Sequence, residues 1–324
     1  MSSDGLQACR LLARAQDGVI SRRQALRSGA SPDVIDGLLR TERWQVLHRG
    51  VYATFTGQPS KSATLWAAVH RAGSGAALSH ATAAELFGLS DQRSSLIHLS
   101  VPVARQVTSM NGAVVHRSTR LADAIHPSLL PPRTRLEETV LDLVDQATNF
   151  DVALSVVCSA SQRRLTTPAK LLAAMSRRSK LRWRSELIKA LGEVGAGVHS
   201  ILEYRYLHQV ERPHGLPQAD RQARLDADGR NRYLDNLYRD FALCVELDGL
   251  QAHPDEQRWQ DLRRINSIIQ NGFTVLRYGW IDVNQHACET AVQVGAVMQH
   301  LGWQASTRPC NPVCPARNYR LARS

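Results

Sequence analysis

"RYLDNLYRDFALCVELDG", Arg232 to Gly249, reads as two short apolar strands, yet Asp235, Glu246 and Asp248 sit inside them. Side chains alternate along a strand. Leu243, Val245 and Leu247 therefore share one face, which suits a core, and Cys244, Glu246 and Asp248 share the other. Carboxylates at i and i+2 lie about 7 Å apart or less, and unshielded they repel. Asp235 comes from the neighbouring strand, across the connection Tyr238–Asp240, and can fall beside them. Three gathered acids cost free energy unless a cation neutralises them. Oxygen ligands with water positions left open suit Mg²⁺ or Mn²⁺. The other reading is exposed acids at the end of a sheet, each paired with one of the abundant arginines. Two acids on one strand face and a third on its partner favour the metal.

Working outward, "SILEYRYLHQVER" (Ser200–Arg212) predicts a helix and "PQADRQARLD" (Pro217–Asp226) a strand. Asp228-Gly229 is a turn signal. "PDEQRWQDLRRINSIIQN" (Pro254–Asn271) predicts a helix, with Pro254 at its start and Asn271-Gly272 at its end. "FTVLRYGW" (Phe273–Trp280) is a strand, and "IDVNQHACETAVQVGAVMQHL" (Ile281–Leu301) a closing helix. The order is α-β-β-β-α-β-α, an α/β core with mixed strands.

An Asp on one strand, then E-x-D-G closing the next after ten intervening residues, resembles the very-short-patch-repair-like branch of the PD-(D/E)XK endonuclease superfamily. "SILEYRYL" is similar to that family's first helix with its acid, here Glu203, and His253 to the histidine that often follows the second motif. "DLRRINSIIQNGFTVLRYGW" is similar to its D-x-x-R helix and last strand. The resemblance covers roughly residues 198–301. It implies DNA cleavage by metal-activated water. Asp235 and Glu246 would hold the ion, and Glu203 would assist through water. His253 would serve as general acid–base or fix the scissile phosphate, and an arginine at Arg263 or Arg264 would clamp a phosphate. Asp248 stands where the superfamily usually has Lys; it can be a further ligand or orient water, but it supplies no cation. The missing Lys leaves open a domain that keeps the fold only to bind.

The chain's 324 residues predict two or three domains, and 43% apolar and 21% charged residues fit a globular protein. No apolar run reaches the ~18–20 residues of a membrane span, and the first twenty residues lack the pattern of a signal peptide. The six cysteines show no C-x-x-C pair, with Cys310 and Cys314 isolated in a Pro-rich tail. They read as free thiols of a cytoplasmic protein, neither a disulfide frame nor a zinc site. A net charge of +11 points to a polyanionic partner, nucleic acid first.

In the N-terminal part, Leu6–Ala15 is a helical run, Ser21 and Ser31 are N-caps of two further helices, and Pro32 opens the third. "WQVLHRGVYATF" (Trp44–Phe55) is a strand, a Gly turn and a strand. This is the order of a winged helix-turn-helix, with the helix from Pro32 as recognition helix and "LHRGVYA" as wing. Arg22, Arg23, Arg40, Arg43 and Arg49 could then reach phosphates. A small domain for protein contacts would carry the same elements. Further on, "SHATAAELFGL" reads as a helix capped by Ser79 and closed by Gly88, and "RTRLEETVLDLVDQA" as amphipathic. His70, His80, His98, His116 and His126 lack metal-ligand spacing and read as ordinary polar positions. Arg163–Lys189 holds nine Lys or Arg and one acid, Glu186, as either a phosphate track or a solvated helix face. The helix–wing start with "LSHATAAELFGL" and "RTRLEETVLDLVDQ" resembles the AbiEi family of bacterial antitoxins over roughly residues 5–185. That family carries an N-terminal winged helix and represses its own toxin–antitoxin operon.

The expected fold is therefore mixed α+β. Residues 1–59 form a winged helix-turn-helix, 60–189 an α/β middle domain with a basic linker, 190–304 a restriction-endonuclease-like core, and 305–324 a disordered tail. The expected function is a DNA-binding, Mg²⁺- or Mn²⁺-dependent endonuclease in bacterial defence or a toxin–antitoxin system, with a cognate toxin or defence partner and no membrane. Two alternatives are an antitoxin-like regulator with a silent nuclease fold, and a DNA-repair nuclease.

Overall fold

The computed structural model of the chain describes residues 3–91, 94–195, 200–227, 230–248 and 255–317. It is mixed α+β and divides into two compact units, Met1–Thr148 with Arg163–Arg182, and Asn149–Gln162 with Trp183–Ser324. Trp66 and Ala67 of the helix Lys61–Ala72 share a core with Val19 and Val51. The helix Phe150–Gln162 belongs to the second unit. Its Leu154 and Cys158 bury against Ala190 and Val194 of the helix Arg184–Gly195.

In the first unit the helices Ser3–Arg14, Arg22–Arg27 and Pro32–Arg40 precede a small antiparallel sheet. Its strands β1 (Val19–Ser21), β2 (Gln45–His48) and β3 (Val51–Ala53) lie in the order β1-β3-β2. The two expected caps form. Ser21 and Gln24 make a reciprocal capping box, and Ser31 Oγ accepts from the Val34 N–H at 3.3 Å. The β2–β3 turn needs Gly50, whose φ is +74°. Cys9, Ile20, Ile35, Trp44 and Tyr52 close the core between helices and sheet. A second sheet, β4 (Ala77–Leu78), β5 (Ile97–Pro102) and β6 (Ala113–Ser118), packs Leu78, Leu99 and Val101 against Leu65 and Val69. Ser79 precedes the helix His80–Leu86 but makes no cap bond. Its hydroxyl instead meets His80 Nδ1 at 2.9 Å and accepts from Ser100 at 2.8 Å.

The second unit holds a four-stranded sheet in the order β10-β9-β8-β7. Strands β7 (Asp220–Ala227), β8 (Arg230–Tyr238) and β9 (Leu243–Asp248) run antiparallel in sequence. The turn expected at Asp228-Gly229 lies outside the described residues. The helix Asp255–Gln270 carries the chain across to β10 (Thr274–Gly279), which pairs parallel with β9. One face of β9 is core: Leu243 and Val245 bury with Tyr206, Tyr238, Tyr278, Val294 and Met298. The helix Ile201–Arg205, which precedes the sheet, continues as a π-helix over Tyr206–Glu211. The single closing helix expected over Ile281–Leu301 is two, Trp280–Asn284 and Ala287–His300. Asp282 accepts from the Gly279 N–H at 2.8 Å, and its carbonyl accepts from Thr290 Oγ1 at 3.0 Å, which fixes the break.

The tail is ordered further than expected. Cys314 and Ala316 bury against Val292, and the Arg308 N–H donates to the His214 carbonyl at 2.8 Å. The disorder expected for 305–324 therefore fails at least through Arg317, and residues 318–324 lie outside the described ones.

Candidate functional site

The register of β8 on β9 pairs Asn236 with Val245, Leu237 with Cys244 and Tyr238 with Leu243. One further step brings Asp235 opposite Glu246, as the alternation of strand side chains requires. The Asp235 N–H donates to Glu246 Oε1 at 3.4 Å, and Asp235 Oδ2 accepts from the Leu247 N–H at 2.9 Å. Gln222 of β7 donates from Nε2 to Asp235 Oδ1 at 3.3 Å and to Glu203 Oε1 at 3.4 Å. Glu203 is buried in the first turn of the helix Ile201–Arg205, capped by Ser200. Asp235, Glu246 and Glu203 are thus gathered on one side of the sheet.

Burial pushes the Asp235 carboxyl above its ordinary pKa, against the Leu247 N–H, Arg264 and Gln222, which favour the anion. Glu246 is raised by burial and then by the charge of Asp235, with Arg264 opposing. The nearby Cys244 thiol is raised by burial and by Glu246. Desolvation and like-charge repulsion act together here, and a cation would relieve both.

Asp248 behaves differently. Its side chain is 51% exposed and ion-paired with Arg277 of β10 at 2.6 Å. Among the described residues the carboxylates form no group of three within reach of one ion. The expectation of three acids on one metal thus reduces to the pair Asp235 and Glu246. Asp248 is the last residue of β9, exposed, and drawn to Arg277 of the neighbouring β10.

Arg264, the expected phosphate clamp, instead binds Glu246 Oε2 at 2.7 Å and donates to the Tyr233 carbonyl at 2.6 Å. Arg263 on the same helix is exposed. His253 lies outside the described residues. In the first unit Arg22 is held by Asp36 at 3.2 Å and by the Tyr52 hydroxyl at 3.3 Å, and Arg23 donates to Ser74 Oγ at 3.2 Å. Arg40, Arg43 and Arg49 are exposed, at the end of the helix Pro32–Arg40 and along the β2–β3 hairpin. The helix itself exposes Asp33 and Asp36, so its start carries no positive charge.

Two clusters escape a reading by spacing. In the first unit His80 stacks on His116 with ring centroids 3.7 Å apart, and His98 Nδ1 lies 3.1 Å from His116 Nε2. His80 and His116 line a cavity of about 340 Å³ that also holds Glu138, Asp142 and Arg178. Burial lowers all three imidazoles, His80 to about 3 with help from its histidine neighbours. These are therefore not the ordinary polar positions expected. In the second unit His214, Cys288, Cys310 and Cys314 bring their ligand atoms within 4.8 Å of one another. The cysteines are free thiols, as expected, but these three are gathered rather than scattered, and with His214 they form a set that could hold a metal ion. The one signal in the chain is the C-x-x-x-C spacing of Cys310 and Cys314.

No family model matches the chain, and no curated protein matches it. Among the described residues no helix is long and apolar enough to cross a membrane.

Proposed function

We propose that this chain is a DNA-directed protein whose second unit hydrolyses phosphodiesters with a divalent cation held by Asp235 and Glu246. The carrying observation is the buried carboxylate pair on adjacent strands, both members raised by burial, one of them also by the other's charge. The donor set fits Mg²⁺ or Mn²⁺. It is all oxygen, and Mg²⁺ is commonly held by one or two carboxylates with water and substrate phosphate filling the rest. Such an ion, when bound, supplies a hydroxide-like water and neutralises charge on the phosphoryl oxygens. Gln222 holds Asp235 and Glu203 in place. Arg264 pairs with Glu246 at 2.7 Å without offsetting its burial, and a bound ion would take over that carboxylate. Arg277 places a guanidinium at the edge where the resembled superfamily has its Lys and this chain has Asp248.

The resemblance to the PD-(D/E)XK endonucleases rests on the strand order α-β-β-β-α-β and these acids. The winged-helix reading of the N-terminal elements rests on three helices, a Gly-turned hairpin and the exposed Arg40, Arg43 and Arg49. A setting in bacterial defence or a toxin–antitoxin pair follows from the AbiEi resemblance alone.

Incubating the whole chain with supercoiled plasmid and Mg²⁺ or Mn²⁺ tests the reading. Cutting should stop with EDTA. Glu246→Gln and Asp235→Asn should each lose cutting by on the order of 100-fold or more, since metal stabilisation is worth several kcal/mol, and both should keep DNA affinity. One observation favours a second reading, a silent DNA-binding fold: Glu246 and Asp248 already have arginine partners, Arg264 and Arg277. That reading wins if wild type and both variants bind DNA alike without metal and none cuts.

A further inference from the structure

His214 is fully buried in the turn after the π-helix Tyr206–Glu211. Its Nδ1 lies 2.9 Å from the Val210 carbonyl, so that nitrogen carries the proton and donates. The other nitrogen, Nε2, is buried with no hydrogen-bond partner. A buried ring nitrogen that keeps a lone pair and has no donor facing it is an anomaly in a packed interior. A metal-ligating histidine has this arrangement: one nitrogen fixed by a carbonyl, the other aimed at the ion.

Three sulfurs face it. Cys288 sits in the first turn of the helix Ala287–His300, and Cys310 and Cys314 flank a tight turn in the tail. In that turn the Cys314 N–H donates to the Asn311 carbonyl at 3.2 Å, and Asn311 Nδ2 donates to Cys310 Sγ at 3.3 Å. The Cys288 and Cys310 sulfurs are 3.5 Å apart, far beyond the ~2.05 Å of a disulfide. A tetrahedral site with Zn–S bonds of ~2.3 Å separates its sulfurs by roughly 3.8 Å.

We propose that His214, Cys288, Cys310 and Cys314 bind one structural Zn²⁺. Three thiolates and an imidazole are soft donors that select zinc over magnesium or manganese. Four protein ligands close the sphere and leave no position for water or substrate, which marks a structural site. On loading, the three thiols release their protons to solvent and the imidazole binds as the neutral ring. The ion ties the tail to the helix Ala287–His300 and to the turn that ends the π-helix Tyr206–Glu211. The tail needs such a clasp because it has little apolar surface to bury: Cys314 and Ala316 are covered, but Val313 is 90% exposed. This site is separate from the carboxylate pair and stands whether or not the chain cuts DNA.

The test is the metal content of the full-length chain purified under reducing conditions. About one zinc per chain is expected after dialysis against metal-free buffer. Cobalt-loaded protein should show the intense visible bands of tetrahedral thiolate ligation. Cys310→Ser is the informative variant because Cys310 is exposed and its loss leaves the core intact. It should weaken zinc binding at least as much as loss of an outer-sphere partner does, about 10–100-fold, and abolish the cobalt bands. His214→Ala should do the same if it folds. Wild-type protein that holds no zinc from a stoichiometric supply, or that contains a Cys288–Cys310 disulfide by mass, overturns the proposal. So does a Cys310→Ser chain with unchanged zinc affinity and cobalt spectrum.

Discussion

Glu138 in the first unit and Glu246 in the second are both nearly buried, at 2% and 6% exposure, and both touch an arginine. Their environments pull in opposite directions. Glu138 receives Arg178 at 2.8 Å and Arg120 at 2.9 Å, with Arg177 at 3.8 Å, and its carboxyl is held below the usual range despite burial. Arg178 is itself buried, and it also reaches Asp142 at 2.7 Å and Asp145 at 3.3 Å. Glu246 has one half-buried arginine and a second carboxylate, Asp235, beside it, and it is raised. A buried acid surrounded by guanidinium groups is a structural device. A buried acid left short of positive charge is a place where something positive is missing.

The contrast breaks most visibly at Arg178. Arg178→Ala strands Glu138 in the interior, and loss of one partner of a buried ion pair costs about 3–5 kcal/mol. Urea unfolding of the chain should show that loss; a change under about 1 kcal/mol would erase the distinction between the two sites. Glu246→Gln should do the reverse, leaving stability at pH 7 unchanged or slightly higher while cutting is lost. The reason is the sign of the shift: an acid raised in the folded state is destabilising once ionised.

Arg264→Ala sharpens the comparison from the other side. Removing the internal cation should tighten Mn²⁺ binding at Asp235 and Glu246 on the order of tenfold, ~1.4 kcal/mol, read by calorimetry on the full chain. An unchanged affinity would mean that Arg264 is not what stands in for the ion.

The buried histidines predict an acid limb for the first unit. His80 is lowered to about 3 and His70 to about 4, both by burial. The unfolded chain therefore takes up protons that the folded one refuses, so stability is full above the ordinary histidine pKa and falls as pH drops below about 6.5. Asp142, raised to about 6, works in the opposite sense between its unfolded value and 6. His80→Asn should flatten the slope of melting temperature against pH below 6.5. Asn is the natural replacement because residue 80 has φ +48°. A slope equal to wild type would remove His80 from the account.

The smallest effects belong to the exposed arginines. Arg43→Ala and Arg49→Ala should change stability by less than about 0.5 kcal/mol. For either variant whose arginine neutralises a phosphate, the salt slope of DNA binding should fall by about 0.9.

Much of the architecture was legible because its signals are local. Ser21 and Ser31 cap the helices they precede, Gly50 turns the hairpin, and Asn271-Gly272 ends the helix before β10. Period-two alternation in Leu243–Asp248 put Leu243 and Val245 on a core face, but the opposite face is core as well at Cys244, which buries with Leu234, Leu237 and Ile268. Asp235 fell beside Glu246 as the antiparallel pairing demands. Ser79 shows the limit of such reasoning. It has a capping residue's position, but His80 and Ser100, adjacent and distant in sequence, compete for its hydroxyl and win.

By itself the chain determined the order of helices and strands, the mixed α+β class and the candidate acids, because periodicity, caps and turns act over a few neighbouring residues. Only the tertiary structure decided which charges meet. It gave Arg264 to Glu246 and Arg277 to Asp248, stacked His80 on His116, returned Phe150–Gln162 to the second unit, and gathered His214 with three cysteines up to 100 residues away. Those pairings depend on which faces are buried together, and burial is a property of the whole packed unit rather than of any segment.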